Sequence, residues 1–115
     1  MINARAFADE WATAWNAHDL DAVLVLFADD ILLTSPLAKR LDPNSDGIVC
    51  GKAALRAYWT AGLAKAPNLH FTVNWVMEGV DLLVIGFKNE QGVDRCEVLR
   101  FCDGLIVEGH GTYPA

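Results

Sequence analysis

From Leu69 onward the apolar residues recur every second position. Leu69, Phe71, Val73, Trp75 and Met77 alternate with His70, Thr72, Asn74 and Glu78, the pattern of a strand with one apolar and one polar face. Upstream the period is helical: Phe7, Trp11, Ala14 and Trp15 put an aromatic stripe on one face of residues 3–17, with Asp9 and Glu10 off it. A chain that changes from helical to strand period in this way must cover one face of a sheet with its helices.

The remaining elements follow from local chemistry. Asp19 is an N-cap, its carboxylate accepting from the free amides of a second helix that runs from about Leu20 to Ala28. Ile31–Ser35 reads as a short strand ended by Pro36, which has no amide to give a ladder. Residues 37–50 hold Pro43, Asn44, Ser45, Asp46 and Gly47 and read as a loop, a candidate lid beside a pocket. A third helix starts after Gly51, with Leu55, Trp59 and Leu63 on one face, and ends near Pro67. Val80–Lys88, Arg95–Cys102 and Leu105–Tyr113 are three further strands, the last two joined by the hairpin signal Asp103-Gly104. The expected product is a single α+β domain over residues 1–115, three N-terminal helices packed against a curved, mainly antiparallel sheet.

Size and charge narrow the partners. A chain of 115 residues, 53% hydrophobic and 21% charged, has the composition of one globular core. With 15 acidic against 9 basic residues and a net charge of −6, it has no basic stripe for nucleic acid. Its longest apolar runs, Ala22–Ala28 and Leu82–Phe87, fall far short of the ~20 residues of a bilayer span. Met1–Glu10 lacks the features of a secretory signal, so a cytoplasmic location is expected. Cys50, Cys96 and Cys102 are odd in number without CxxC spacing, which predicts buried free thiols in a reducing compartment.

The element order, with Trp15-Asn16-Ala17-His18-Asp19-Leu20-Asp21 and Leu26-Phe27-Ala28-Asp29-Asp30, resembles the SnoaL-like and ketosteroid-isomerase-like branch of the NTF2-like superfamily. Gly51-Lys52-Ala53-Ala54-Leu55, Phe101-Cys102-Asp103-Gly104-Leu105-Ile106 and Tyr113 fall where such domains carry similar elements, so the resemblance spans nearly the whole chain. It implies a cone in which a bent sheet wraps a long helix around a pocket, and a homodimer formed through the outer sheet face. Polyketide cyclases, isomerases, dehydratases and non-catalytic domains share that fold, so function has to be argued from the site. Laid over the isomerase pattern, the tyrosine oxyanion donor falls on Trp11, the catalytic aspartate on Ser35 before Pro36, the acidic oxyanion donor on Glu97 and a supporting tyrosine on Trp59. Serine is no base and indole donates only one hydrogen bond, so the resemblance implies something other than ketosteroid isomerisation.

Among the residues themselves Glu97 stands out. Strand alternation puts it beside Leu99 and Phe101 on a mostly apolar face, where desolvation raises a carboxyl pKa and suits it to acid or base work. The competing reading is a structural ion pair with Arg95, two residues away on the same face. Trp11, Trp15, Tyr58, Trp59, Phe101 and Tyr113 are candidate pocket walls, with Trp75 as a further aromatic, although core packing explains many such residues. Matched to the last strand of the isomerase-like template, the resemblance implies Val107, Gly109, Gly111 and Tyr113 on the cavity side and Glu108, His110 and Thr112 outside, which argues against His110 as catalyst. His18 and His70 read as structural, and neither Ser35 nor Cys50 has a nucleophile-elbow context. Neither a metal nor a cofactor is expected. The leading expectation is a pocket for a small apolar, carbonyl-bearing molecule, with Glu97 as acid or base and Ser35 and Trp11 as orienting donors. The alternative is a non-catalytic binding, dimerisation or protein-interaction module.

Overall fold

The structure is a computed structural model that describes residues 3–115. Helix α1 spans Ala4–Asn16 and starts where the Asn3 side chain accepts from the Ala6 amide at 2.9 Å. Its predicted stripe is buried, Phe7, Trp11, Ala14 and Trp15 all facing the core. Helix α2 is shorter than its sequence suggests, Leu20–Leu24, with Asp19 capping the Ala22 amide at 3.1 Å. The next residues join a strand instead: β1 is Phe27–Thr34. Phe27 pairs with Ile106, and the Ile106 amide donates to the Leu26 carbonyl at 3.0 Å. Long-range pairing has overridden the local helical tendency of Leu26-Phe27-Ala28.

The expected loop at 37–50 is structured. Ser35 accepts from the Leu37 amide at 3.2 Å and, with Pro36 in the first turn, starts helix α3, Pro36–Leu41. Asp42 then caps a short 3-10 turn, Pro43–Ser45, and strand β2, Ile48–Cys50, pairs antiparallel with β1. Ala38 and Val49 are buried, so the segment is a fastened wall of the domain rather than a free lid. Helix α4, Lys52–Lys65, buries Leu55 and packs Tyr58, Trp59 and Leu63 against the core.

Strands β3 (Thr72–Gly79), β4 (Leu82–Lys88), β5 (Asp94–Cys102) and β6 (Leu105–Thr112) form an antiparallel meander. The turn at Asp103-Gly104 has positive φ at both residues, 52° and 81°, as the hairpin signal requires. One 6-stranded sheet results, ordered β2-β1-β6-β5-β4-β3, its β1–β6 pairing parallel and the others antiparallel. A register shift between Arg100 and Phe101 changes the parity at the start of β6: Ile106, not Val107, goes fully into the core. Among the described residues no helix is long and apolar enough to cross a membrane.

The segment Trp15–Asp19 has a structural task that its residue types alone do not reveal. The Asn16 amide donates to the Phe71 carbonyl at 2.9 Å and accepts from the Phe71 amide at 2.7 Å, and His18 Nε2 donates to the Leu69 carbonyl at 2.9 Å. These bonds tie the end of α1 to the chain entering β3. They fix Phe71 between the core and the cavity described next.

Candidate functional site

The cavity lies where α1, α4 and the ends of β1, β5 and β6 converge, and it holds about 120 Å³. Trp15, Trp59, Leu63 and Phe71 form its apolar side, with Trp15 and Trp59 packed edge to face at 4.9 Å between centroids. Ser35, Tyr58, Arg95, Glu97, Gly111 and Tyr113 form the polar side. The structure therefore brings together Glu97, Ser35, Trp15, Tyr58, Trp59 and Tyr113 of the residues singled out from sequence.

Trp11 and Phe101 lie elsewhere. Trp11 is only 1% exposed and sits 5.4 Å from the Phe71 ring and 5.2 Å from the Phe87 ring, filling the core beneath the cavity. It has no surface left for a ligand. Phe101 packs on Phe7 at 5.1 Å and lines a separate recess by the β3–β4 and β5–β6 turns, at the other end of the sheet. Alternation fixes which face of an element a residue takes, but not how far along the cone it sits.

Glu97 stands on β5 between Ile85 of β4 and Gly111 of β6. The residue reaches the cavity, but its Oε2 is inaccessible to solvent and has no hydrogen-bond partner. Burial pushes its carboxyl from 4.5 up to about 7, and the Arg95 guanidinium pulls it partly back. A carboxyl with that value exists in both protonation states near neutral pH and can give or take a proton.

The alternative ion pair is not formed among the described residues. Arg95 instead lies over the Tyr113 ring at 3.9 Å, with Phe87 at 5.2 Å, and its Nε donates to the Thr112 carbonyl at 3.2 Å. Nothing in the local sequence announces that stacking, because Phe87 reaches Arg95 from β4 and Tyr113 from just past the end of β6.

Ser35 is buried at the end of β1, and its Oγ accepts from the Tyr58 hydroxyl at 3.1 Å as well as from the Leu37 amide. Burial pushes the Tyr58 phenol up to about 12, so it keeps the proton it donates. One hydroxyl thus caps α3 and also holds the Tyr58 side chain. His110 is outside the cavity, between Thr34 Oγ1 at 2.6 Å and Glu108 Oε2 at 2.8 Å. His18 and His70 are exposed. Among the described residues no group of three or more His, Cys, Asp or Glu side chains converges as a metal site.

Known proteins with this architecture include a SnoaL-like protein of unknown function from Burkholderia thailandensis, 35% identical. The similarity covers 97% of this chain and 94% of that one at a TM-score of 0.91. AclR from Streptomyces galilaeus, described as a candidate hydroxylase, is 24% identical over 96% and 88% of the two chains with a TM-score of 0.74. IdmH from Streptomyces antibioticus, described as a candidate polyketide cyclase, is 18% identical over 96% and 91% with a TM-score of 0.78. Below 25% identity such likeness speaks for the NTF2-like fold alone. No curated protein matches the chain. Residues 8–109 match the SnoaL-like domain family, and with that match spanning most of its length the chain belongs to this family.

Proposed function

We propose that this domain binds a small, largely apolar molecule bearing a carbonyl group and acts on it by cofactor-free proton transfer, with Glu97 as acid or base. The observation that carries this reading is the Glu97 Oε2 atom, buried without a partner beside a cavity with aromatic walls. A buried polar atom left unpaired costs stability, on the order of 1–3 kcal/mol, and a binding partner would recover it. Arg95 and Ser35 add polarity on the same side, while Trp15 and Trp59 offer a flat apolar surface.

The test joins binding to chemistry. Tryptophan fluorescence titrated with enolisable ketones should saturate and should change character in Trp59→Phe, since Trp59 is in the wall. Ligands that bind should exchange the hydrogens beside their carbonyl for deuterium, and Glu97→Gln should slow that exchange about 100-fold or more. Saturable binding with no exchange would leave a ligand-binding module without catalysis.

A second proposal concerns the outer face of the sheet. Trp75 and Met77 are 40% and 62% exposed there, with Leu32 and Ile48 on strands toward the opposite edge. An apolar face of this kind fits self-association by two-fold symmetry. A homodimer in sedimentation that becomes monomeric on Met77→Glu is the expected result. Cys50 and Cys102 are exposed rather than buried, and Cys96 is half-buried; as free thiols all three fit a reducing, cytoplasmic setting.

A further inference from the structure

Gly111 is the one inward-facing position of β6 whose missing side chain opens onto polar atoms. A Cβ built on it would lie 3.4 Å from Arg95 Nη2, 3.4 Å from Ser35 Oγ and 3.5 Å from Glu97 Oε2. Three polar groups, two from β5 and one from the end of β1, therefore ring the space that the glycine leaves, and the space belongs to the cavity.

Their hydrogen-bonding capacities are complementary. Arg95 only donates. Ser35 Oγ already accepts from Tyr58 and from the Leu37 amide, so its remaining capacity is to donate its own proton. Glu97 Oε2 has no partner. An atom entering this space has to accept from Arg95 and Ser35 and also share a proton with Glu97. A carbonyl oxygen meets both demands when Glu97 is protonated, and an enol or phenol oxygen meets them when it is ionised.

We infer that the gap over Gly111 is the seat of a single ligand oxygen of keto, enol or phenol type, held by Arg95, Ser35 and Glu97, and that Tyr58 is a positioning residue that commits Ser35 to donating. The inference rests on the reading of the pocket as a carbonyl site and names which atoms receive the oxygen. Size limits the rest of the ligand. A closed apolar cavity of roughly 150 Å³ takes one benzene ring, so about 120 Å³ admits a single ring with any further bulk at the mouth.

The probes are para-fluorophenol and para-fluorotoluene, which differ only in hydroxyl against methyl, followed by fluorine NMR on the intact protein. The wild type should bind the phenol about tenfold tighter or better, the worth of one strong hydrogen bond. Gly111→Ala puts a methyl among the three polar atoms at ordinary contact distance, on a backbone without positive φ. It should keep its circular dichroism and melting temperature and lose the preference for phenol. A folded Gly111→Ala that keeps the preference overturns the seat.

Tyr58→Phe provides the second variant. It frees Ser35 to accept, and should lower the phenol preference about threefold while leaving para-fluorotoluene binding unchanged; an unchanged preference overturns the positioning role. Wild-type protein that binds both probes equally overturns the seat but leaves the apolar pocket standing. Binding of neither probe overturns the pocket reading itself, and the seat with it.

Discussion

Gly109 and Gly111 stand two residues apart on the same face of β6, and their surroundings are opposite in kind. A Cβ on Gly109 would meet only Leu99 Cδ2 at 3.4 Å and Leu33 Cδ1 at 3.6 Å, whereas one on Gly111 would meet a guanidinium, a hydroxyl and a carboxyl oxygen. The change occurs on both sides of β6 at once. Leu33 on β1 gives way to Ser35 just past its end, and Leu99 to Glu97 on β5, and each pair lies against the corresponding glycine. One rung of the sheet is sealed core and the next is a chemically equipped cavity. Inward orientation alone therefore does not put a residue in the cavity; its rung along the cone does.

The largest expected effect falls on the sealed side. Trp11→Ala removes a ring held between Phe71 and Phe87 and should cost about 3–5 kcal/mol in urea unfolding. A cost below about 1 kcal/mol would show that Trp11 is not part of a packed core, and the contrast between the two rungs would fail.

Next comes the polar rung, read through pH. In the unfolded chain Glu97 titrates at its ordinary 4.5, and in the folded protein burial holds it at about 7. The folded state keeps the proton longer. Stability is therefore full below about pH 4.5, falls as pH rises to about 7 and is level beyond, for a total of roughly 3 kcal/mol. The Tyr58 phenol, pushed up by burial to about 12, stays neutral throughout this window. Glu97→Gln should flatten this part of the profile in urea titrations from pH 4 to pH 9. A wild-type profile that rises over the same window would mean the carboxyl is not desolvated.

The boundary between the regions is Phe71, which stacks on Trp11 and also lines the cavity. Asn16 fixes its backbone through two hydrogen bonds. Asn16→Ala should destabilise by about 2 kcal/mol and should weaken para-fluorophenol and para-fluorotoluene binding alike. A selective loss of phenol binding would move Asn16 into the polar rung. The smallest effect belongs to Gly109→Ala, whose methyl meets only the ends of two leucines. It should shift stability by less than about 1 kcal/mol and leave both probes bound as in wild type.

Several of these features are legible without coordinates. The aromatic stripe of α1, the hairpin at Asp103-Gly104 and the inward direction of Glu97 all follow from spacing within one segment, which is why they can be read there. Other features depend on segments distant in sequence. β1 begins at Phe27 because Ile106 pairs with it, and residues 36–50 form a helix and a strand because Ser35 caps one and β1 receives the other. The bulge that turns Ile106 rather than Val107 inward is set by the pairing of β5 with β6.

The sequence by itself determined the class of fold, the family and the inward direction of Glu97, because periodicity and turn chemistry act over a few residues, whereas the bulges between Val73 and Trp75 and between Arg100 and Phe101 reset the faces of Trp75, Met77 and Ile106. Only the tertiary structure decided that Trp15 and Trp59 face the cavity while Trp11 is sealed beneath it. Only the tertiary structure turned Arg95 onto Tyr113 and left Glu97 unpaired opposite Ser35. Those outcomes depend on register between strands as much as 79 residues apart, Phe27 beside Ile106 among them, and local pattern carries no information on register at that distance.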